Sequence, residues 1–341
     1  MEIAQNVSLV NHSTMGLGGQ AAYLVEVSDR MQVLEALSWA QTHGVPAIMI
    51  GGGSNIVWKD EGFPGLVIVN NIMRYEVFEE DETNTYITVG AGEVWDSVVE
   101  RSVAAGLTGI EALSLIPGKT GATPVQNVGA YGQEIAQTLT TIEAFDTQAG
   151  DFVTLAGSDC AFGYRTSRFK TTDHGRFFIT SITLHLTRGN PQPPFYSSVQ
   201  AFFEEQSIHD YTPAALREAV VAIRTRKLPD PAIVKNTGSF FGNPIISEDQ
   251  LVGLQATYEA LPHWPADEGI KLSAAWLIEQ AGFKDFHDPE TGMGTWPRQS
   301  LVLINEKARS TADLLIFKQK IVAAVQAKFG ITLEQEPELL P

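Results

Sequence analysis

The stretch Ile116–Gly132, IPGKTGATPVQNVGAYG, constrains this chain more than any other. Gly118, Gly121, Gly129 and Gly132 run through it with two prolines, and Lys119 is its only charge. Lacking a Cβ, glycine lets backbone N–H groups come close to a ligand. Successive turns of this kind form concave nests that hold anions such as a pyrophosphate. Taken alone, the stretch is equally a turn-rich connector. A second loop, Gly51–Asn55 (GGGSN), follows the apolar run Ala47–Ile50. Two glycine-rich loops, each entered from an apolar segment, suit a ligand with two phosphates.

Two familiar nucleotide signatures fail. A Walker loop needs glycine five positions before its Gly-Lys-Thr, and Gly118-Lys119-Thr120 has Leu113 there. No G-x-G-x-x-G occurs, because Ile56 stands where the last glycine after Gly51 and Gly53 belongs. The pattern is neither a P-loop NTPase nor a Rossmann dehydrogenase.

At 341 residues there is room for two or three domains. A formal charge of −17 argues against nucleic acid and against anionic membrane surfaces. It leaves open a small anionic substrate held by a local basic cluster. Cys160 is the single cysteine, which forbids an intrachain disulfide and fits a reducing compartment. The seven histidines are scattered, so no metal site is expected. The start MEIAQNVSLV lacks the features of a signal peptide and no apolar run approaches spanning length, which predicts a cytoplasmic protein.

Residues 1–70 read as a small α/β unit. A helix over Asp29–His43, capped by Ser28, turns Leu34, Leu37 and Trp39–Ala40 to a core and ends at Gly44. Strands follow at Ala47–Ile50 and Leu66–Val69. Residues 71–211 read as a second unit: a strand at Thr85–Val89, and a helix through Trp95, Val98, Val99, Ser102 and Val103. A hairpin is expected around Asp146–Asp151, then a strand with Ile182, Leu184 and Leu186 on one face. Prolines in PQPPFYSS, from Pro191, forbid regular structure. Residues 212–341 open with a helix at Thr212-Pro213 that presents Leu216, Val220 and Ile223 inward. That helix stops before Pro229 and Pro231 at a plausible junction. Further helices are expected over Leu272–Gln280 and after Ser310, which with Asp313 makes a capping box. Gly330 ends the last helix and a strand around Ile331–Glu336 closes the chain.

Several polar groups stand out, each with an ordinary explanation. Arg165 in FGYR binds carboxylate well as a bidentate fork, but is equally a surface ion pair. Ser239 in GSFFGNP has no nearby histidine and no nucleophile elbow; most turn serines are only that. Arg224, Arg226 and Lys227 form a basic cluster at a helix end, where cations are favoured anyway. Glu334, Glu336 and Glu338 alternate, as solvated carboxylates often do. Tyr196, among prolines, reads as a packed loop aromatic.

Their order is more telling than any one of them. GGGSN, IPGKTGATPVQNVGAYG, FGYR, KLPDP, GSFFGNP, LVLIN and LEQE, from about Thr14 to Glu336, resemble the UDP-N-acetylenolpyruvoylglucosamine reductase family, also called UDP-N-acetylmuramate dehydrogenase. The resemblance implies an α+β fold. A two-lobed FAD-binding domain of the vanillyl-alcohol-oxidase (PCMH) type would occupy 1–70 and 71–211, and an α+β substrate-binding domain 212–341. The proline-rich insert resembles the family's longer type with a tyrosine loop. The activity implied is NADPH-dependent reduction of UDP-N-acetylglucosamine enolpyruvate to UDP-N-acetylmuramate, a peptidoglycan precursor. The FAD is expected to be non-covalent, since no histidine or cysteine stands in the glycine loops, and the protein to be a monomer.

Residue by residue, the resemblance implies that Gly51, Gly52, Gly53, Ser54, Asn55, Ile116, Pro117, Gly118, Gly121, Ala122, Gln126, Asn127, Gly129, Ala130 and Tyr131 hold FAD. Tyr164 and Arg165 match its tyrosine–arginine pair, with Arg165 on the substrate carboxylate. Ser239 matches its proton donor and Glu336 its terminal glutamate. Tyr196, Lys227 and Asn243 match its substrate-side and nicotinamide-side contacts. One departure concerns Pro337, which directly follows Glu336 where the family continues in an apolar strand; Glu334 or Glu338 then become rivals for its role. Alternatives are an FAD oxidase or dehydrogenase of the same flavin fold on another small substrate, and a non-catalytic UDP-sugar-binding protein.

Overall fold

The computed structural model describes residues 1–266 and 268–341. The chain divides into two compact units. One comprises Met1–Val7, Ala21–Gly52 and Phe63–Arg226; the other comprises Ser8–Gln20, Gly53–Gly62 and Lys227–Pro341.

The first unit is built on two larger sheets. A four-stranded sheet runs in the order Ala4–Ser8, Gln20–Val27, Phe63–Asn70, Ala47–Ile50, its last three strands parallel. Helix Arg30–His43 covers it, burying Val33, Ala36 and Ala40 with Leu66 and Ile68. Leu34, Leu37 and Trp39 pack only partly against that core. The N-cap is Asp29, whose carboxylate accepts from the Gln32 N–H, and not Ser28; Gly44 ends the helix at φ 64° as expected.

The second sheet is antiparallel, in the order Asp151–Ala156, Leu139–Asp146, Phe177–Arg188, Asn84–Gly90, Tyr75–Glu79, with Leu107–Thr108 added to Phe177–Arg188. Ile182, Leu184 and Leu186 share its buried face with Ile87 and Val89. Trp95, Val98 and Val99 of helix Trp95–Ala104 close that core.

Sequence reading passed over helices Ser197–Glu205 and Glu248–Gln255. After the prolines the chain turns at Tyr196 into helix Ser197–Glu205, with Val199, Phe202 and Phe203 at helical spacing on its buried side. It packs with Ala112 and with Leu216, Ala219 and Val220 of helix Pro213–Lys227. That apolar contact carries the first unit through Arg226, beyond residue 211.

In the second unit a sheet runs Lys235–Ser239, Gln299–Asn305, Met293–Trp296, His287–Asp288. A smaller one runs Ile245–Ile246, Gly269–Leu272, His263–Ala266. Helices Ala274–Gln280 and Thr311–Phe329 pack Leu277, Phe317 and Ile321 against Phe240 and Leu303. Leu272 ends a strand, and Ser273 caps the helix that was expected to begin there. The Ser310–Asp313 capping box and the Gly330 stop are both present. The closing strand is displaced. Ile331–Glu336 contributes only an isolated Phe241–Gln335 bridge, and the strand is Glu338–Leu340, parallel to Ile56–Trp58. Pro337 has no N–H to give a ladder, so regular pairing begins only after it.

Candidate active site

The two glycine loops meet. A Cβ on Gly52 would stand 3.2 Å from the Gly118 Cα, and one on Gly51 3.3 Å from the Lys119 Cβ and 3.7 Å from that of Ala122. Gly121 donates to the Ala91 carbonyl at 2.9 Å, and a Cβ there would fall 2.5 Å from the Ala91 Cβ. Glycine is therefore needed first for close packing: Gly52 lies on the backbone of Gly118, while Gly51 and Gly121 lie against the side chains of Lys119, Ala122 and Ala91. The start of the longer loop is pinned by Asp96. Its carboxylate accepts from the Leu115 N–H at 2.5 Å and takes Arg217 in a two-oxygen pair at 2.6 and 3.0 Å. Burial pushes the Asp96 carboxyl up, but the Arg217 bonds and the Leu115 amide together hold it below its usual range.

Ile116 packs against the core of the antiparallel sheet, while Pro117 and Ala122 are exposed. Gln126 is half-buried. Asn127 is buried and its amide is fully engaged: it donates to Glu134 at 2.8 Å and to the Gly163 carbonyl at 3.1 Å, and accepts from Ala136 at 3.2 Å. It ties the loop to FGYR. Gly129–Ala130 and Gln133–Glu134 form a tight hairpin. Its two central residues, Tyr131 at φ 49° and Gly132 at φ 87°, have the positive φ of a two-residue hairpin turn.

Arg165 is held beside that hairpin. Its guanidinium donates to the Gly129 carbonyl at 2.6 Å and lies 5.2 Å from the Tyr164 ring centre. Its backbone has φ 53°, a strained value for a non-glycine residue that such sites tend to collect. Tyr196 meets Tyr131 edge to face, ring centres 5.6 Å apart. Burial raises the Tyr131 hydroxyl's pKa, opposed by the positive charge of Arg224.

Gly53, Ser54 and Asn55 belong to the second unit. Gly53 has φ 69°, and a Cβ there would sit 2.4 Å from the His12 carbonyl oxygen. Ser239 ends its strand opposite Val302. The next residues lie between two partners: Phe240 donates to the Leu301 carbonyl at 2.7 Å and Gly242 to that of Glu334 at 3.0 Å, while Glu336 donates back to Phe240 at 2.9 Å. Ser239 and half-buried Glu336 thus come from neighbouring backbone segments. Asn243 accepts from the Ala274 N–H at 3.0 Å, and Lys227 is exposed. A cavity of about 540 Å³ in this unit, lined by His287, Glu290, Glu306 and Arg309 among others, includes none of these residues. Sequence reasoning missed Asp96, Arg217 and the inward role of Lys119; each acts on an acceptor or donor distant in sequence. Among the described residues no group of His, Cys, Asp and Glu is arranged to hold a metal, and no helix is long and apolar enough to cross a membrane.

Residues 21–156 match the family model described as FAD binding domain. Residues 230–340 match that described as UDP-N-acetylenolpyruvoylglucosamine reductase, C-terminal domain. A relative so named from Alcanivorax borkumensis is 39% identical across 98% of this chain and 96% of its own. Another, from Thermobifida fusca, is 40% identical across 99% and 98%. The chain belongs to the UDP-N-acetylenolpyruvoylglucosamine reductase family. A solved UDP-N-acetylenolpyruvylglucosamine reductase from Thermus caldophilus shares the fold, with a TM-score of 0.70 over 100% of both chains at 24% identity. The expected α+β architecture, an FAD-binding domain followed by the reductase's own C-terminal domain, holds.

Proposed function

We propose that this chain reduces UDP-N-acetylglucosamine enolpyruvate to UDP-N-acetylmuramate at the expense of NADPH, as a cytoplasmic monomer with non-covalent FAD. The observation that carries the reading is the meeting of Gly51–Gly52 with Gly118–Lys119 inside a region matching an FAD-binding domain. A glycine-lined surface of that kind fits a pyrophosphate, whose oxygens need close N–H donors. Gly51, Gly52, Gly118, Gly121 and Ala122 would line it, with Gly53, Ser54 and Asn55 continuing the first loop. Ile116, Pro117, Gln126, Asn127, Gly129, Ala130 and Tyr131 would carry the longer loop along the cofactor. Bound FAD supplies the two-electron redox chemistry; the protein orients and polarises.

Arg165 would grip the enolpyruvyl carboxylate, into which charge spreads from the adjoining carbon when hydride adds to the terminal alkene carbon. Stabilising charge only where it develops is what lowers a barrier. Glu336, as its acid, would assist, and Ser239 would deliver the proton that completes the saturated product. Tyr164, Tyr196, Lys227 and Asn243 would seat the rest of the substrate and the nicotinamide donor. The test is the absorption spectrum of purified protein, followed by NADPH oxidation with the enolpyruvyl sugar nucleotide. A yellow protein that forms the lactyl ether product is expected; a colourless protein that takes up no FAD would sink the reading.

A further inference from the structure

Two tight turns lie side by side in the first unit. Tyr131 and Gly132 form the tip of one, between Gly129–Ala130 and Gln133–Glu134. Tyr164 and Arg165 form the tip of the other, which Gly163 and Thr166 close with a mutual pair of backbone bonds at 3.1 and 3.3 Å. A hairpin this short is not stable alone. The position of Arg165 therefore depends on what fastens its turn to the neighbouring chain.

Three bonds join alternate residues of the glycine loop to FGYRTS. The Ser167 hydroxyl donates to the Val125 carbonyl at 2.6 Å, Asn127 to the Gly163 carbonyl at 3.1 Å, and Arg165 to the Gly129 carbonyl at 2.6 Å. The middle bond depends on which way the Asn127 amide is turned. Its oxygen accepts from the Ala136 N–H at 3.2 Å, and its nitrogen also donates to the Glu134 carboxylate at 2.8 Å. A carboxylate only accepts, so Glu134 draws the NH2 end of Asn127 to the side where Gly163 offers its carbonyl. Glu134 reaches the same place by a second route. A Cβ on Gly129 would stand 2.7 Å from the Glu134 Cγ and 3.0 Å from the Arg165 Nη1. The stem of one side chain and the guanidinium of the other thus share the face that Gly129 leaves bare.

We infer that Glu134 is a positioning residue for Arg165: through Asn127 and across Gly129 it sets the turn that aims the guanidinium at a ligand carboxylate. A displacement of about 1 Å in such a group can cost roughly 10²-fold in rate. The inference rests on the proposed function, in which Arg165 takes the carboxylate. Calorimetry on the FAD-loaded enzyme tests it with two ligands. One is the lactyl ether product; the other is UDP-N-acetylglucosamine, which has the same nucleotide and sugar but no carboxylate. The parent should favour the product by about tenfold or more, the worth of a charge-assisted fork. Glu134→Met keeps the stem and removes the acceptor. It should cut that margin below threefold while UDP-N-acetylglucosamine binds within twofold of the parent and FAD content is unchanged. Glu134→Gln, whose amide oxygen still accepts from Asn127, should restore most of the margin. Should Glu134→Met fail to fold, Glu134→Asp carries the test; its carboxylate falls one methylene short of Asn127 and should cut the margin threefold or more. An unchanged margin, equal weakening of both ligands, or a Gln variant as impaired as Met would overturn the inference. A parent that bound the two ligands alike would instead overturn the carboxylate role of Arg165 in the functional reading.

Discussion

The Lys119 ammonium donates to the Asn70 carbonyl at 2.6 Å and also to the Asn71 side-chain oxygen. Asn71 in turn donates to Glu26 at 2.7 Å. The lysine of a failed Walker motif thus fastens the longer glycine loop to the end of strand Phe63–Asn70, with its stem lying against Gly51. Burial lowers its pKa, with Glu26 opposing.

Lys119→Met keeps the stem and removes both bonds. A hydrogen bond from a charged donor contributes roughly 1.5–3 kcal/mol, and 1.4 kcal/mol is about tenfold in affinity. FAD should therefore bind about tenfold more weakly, with a melting temperature a few degrees lower. Fluorescence titration of the apoprotein with FAD measures this, and an unchanged dissociation constant would exclude the clamp.

Acid stability should depend on Asp146. It accepts from Arg176 at 2.6 and 2.8 Å, and that pairing, against the contrary effect of burial, holds its carboxyl at about 2 instead of 3.8. The unfolded chain takes up the proton first. The contribution is complete above about pH 4 and disappears as pH falls towards 2. Urea midpoints should drop across that window, and Asp146→Asn should flatten this part of the profile. An Asn variant with the parental acid slope would refute the assignment.

Local signals carried much of the fold into the sequence. Ser310 with Asp313, Gly44, Gly330 and the alternation Ile182, Leu184, Leu186 each act over a few residues, and each is legible. Helix Ser197–Glu205 was hidden because it starts only three residues after Pro194 and shows a short repeat of Val199, Phe202 and Phe203. Glu338–Leu340 finds its partner at Ile56–Trp58, nearly the whole chain away, and no local pattern announces that pairing. In the site the glycine loops were legible as loops, but their meeting at Gly52 and Gly118 was not. Arg224 read as a solvated helix end because only burial distinguishes it from Arg226.

Ser239 should matter to one half of the reaction only. Ser239→Ala removes a hydroxyl at the end of an otherwise intact ladder, where Phe240 still bonds to Leu301. Bleaching of the flavin absorbance by NADPH should proceed at the parental rate. Recovery of that absorbance with the enolpyruvyl substrate should slow by roughly 10²–10⁴, the usual worth of a positioned proton donor. Stopped-flow traces with both phases intact would remove Ser239 from the role.

Among the terminal carboxylates, backbone register favours Glu336. The Gly242-to-Glu334 and Glu336-to-Phe240 bonds bracket the Phe241–Gln335 bridge, so Glu336 keeps its own N–H in register with the residue after Ser239. The break imposed by Pro337 falls after that bond. Glu334 is exposed, and the Glu338 N–H donates to the Asn55 carbonyl at 3.0 Å, which places that residue on the last strand and out of register with Phe240. Glu336→Gln should slow product formation by roughly 10²-fold or more, as loss of a group stabilising developing charge does, with NADPH-dependent bleaching unchanged. Glu334→Gln and Glu338→Gln should each stay within about threefold of the parent, less than the 1.4 kcal/mol of a tenfold change. A deep loss in Glu338→Gln beside an active Glu336→Gln would transfer the role across the proline.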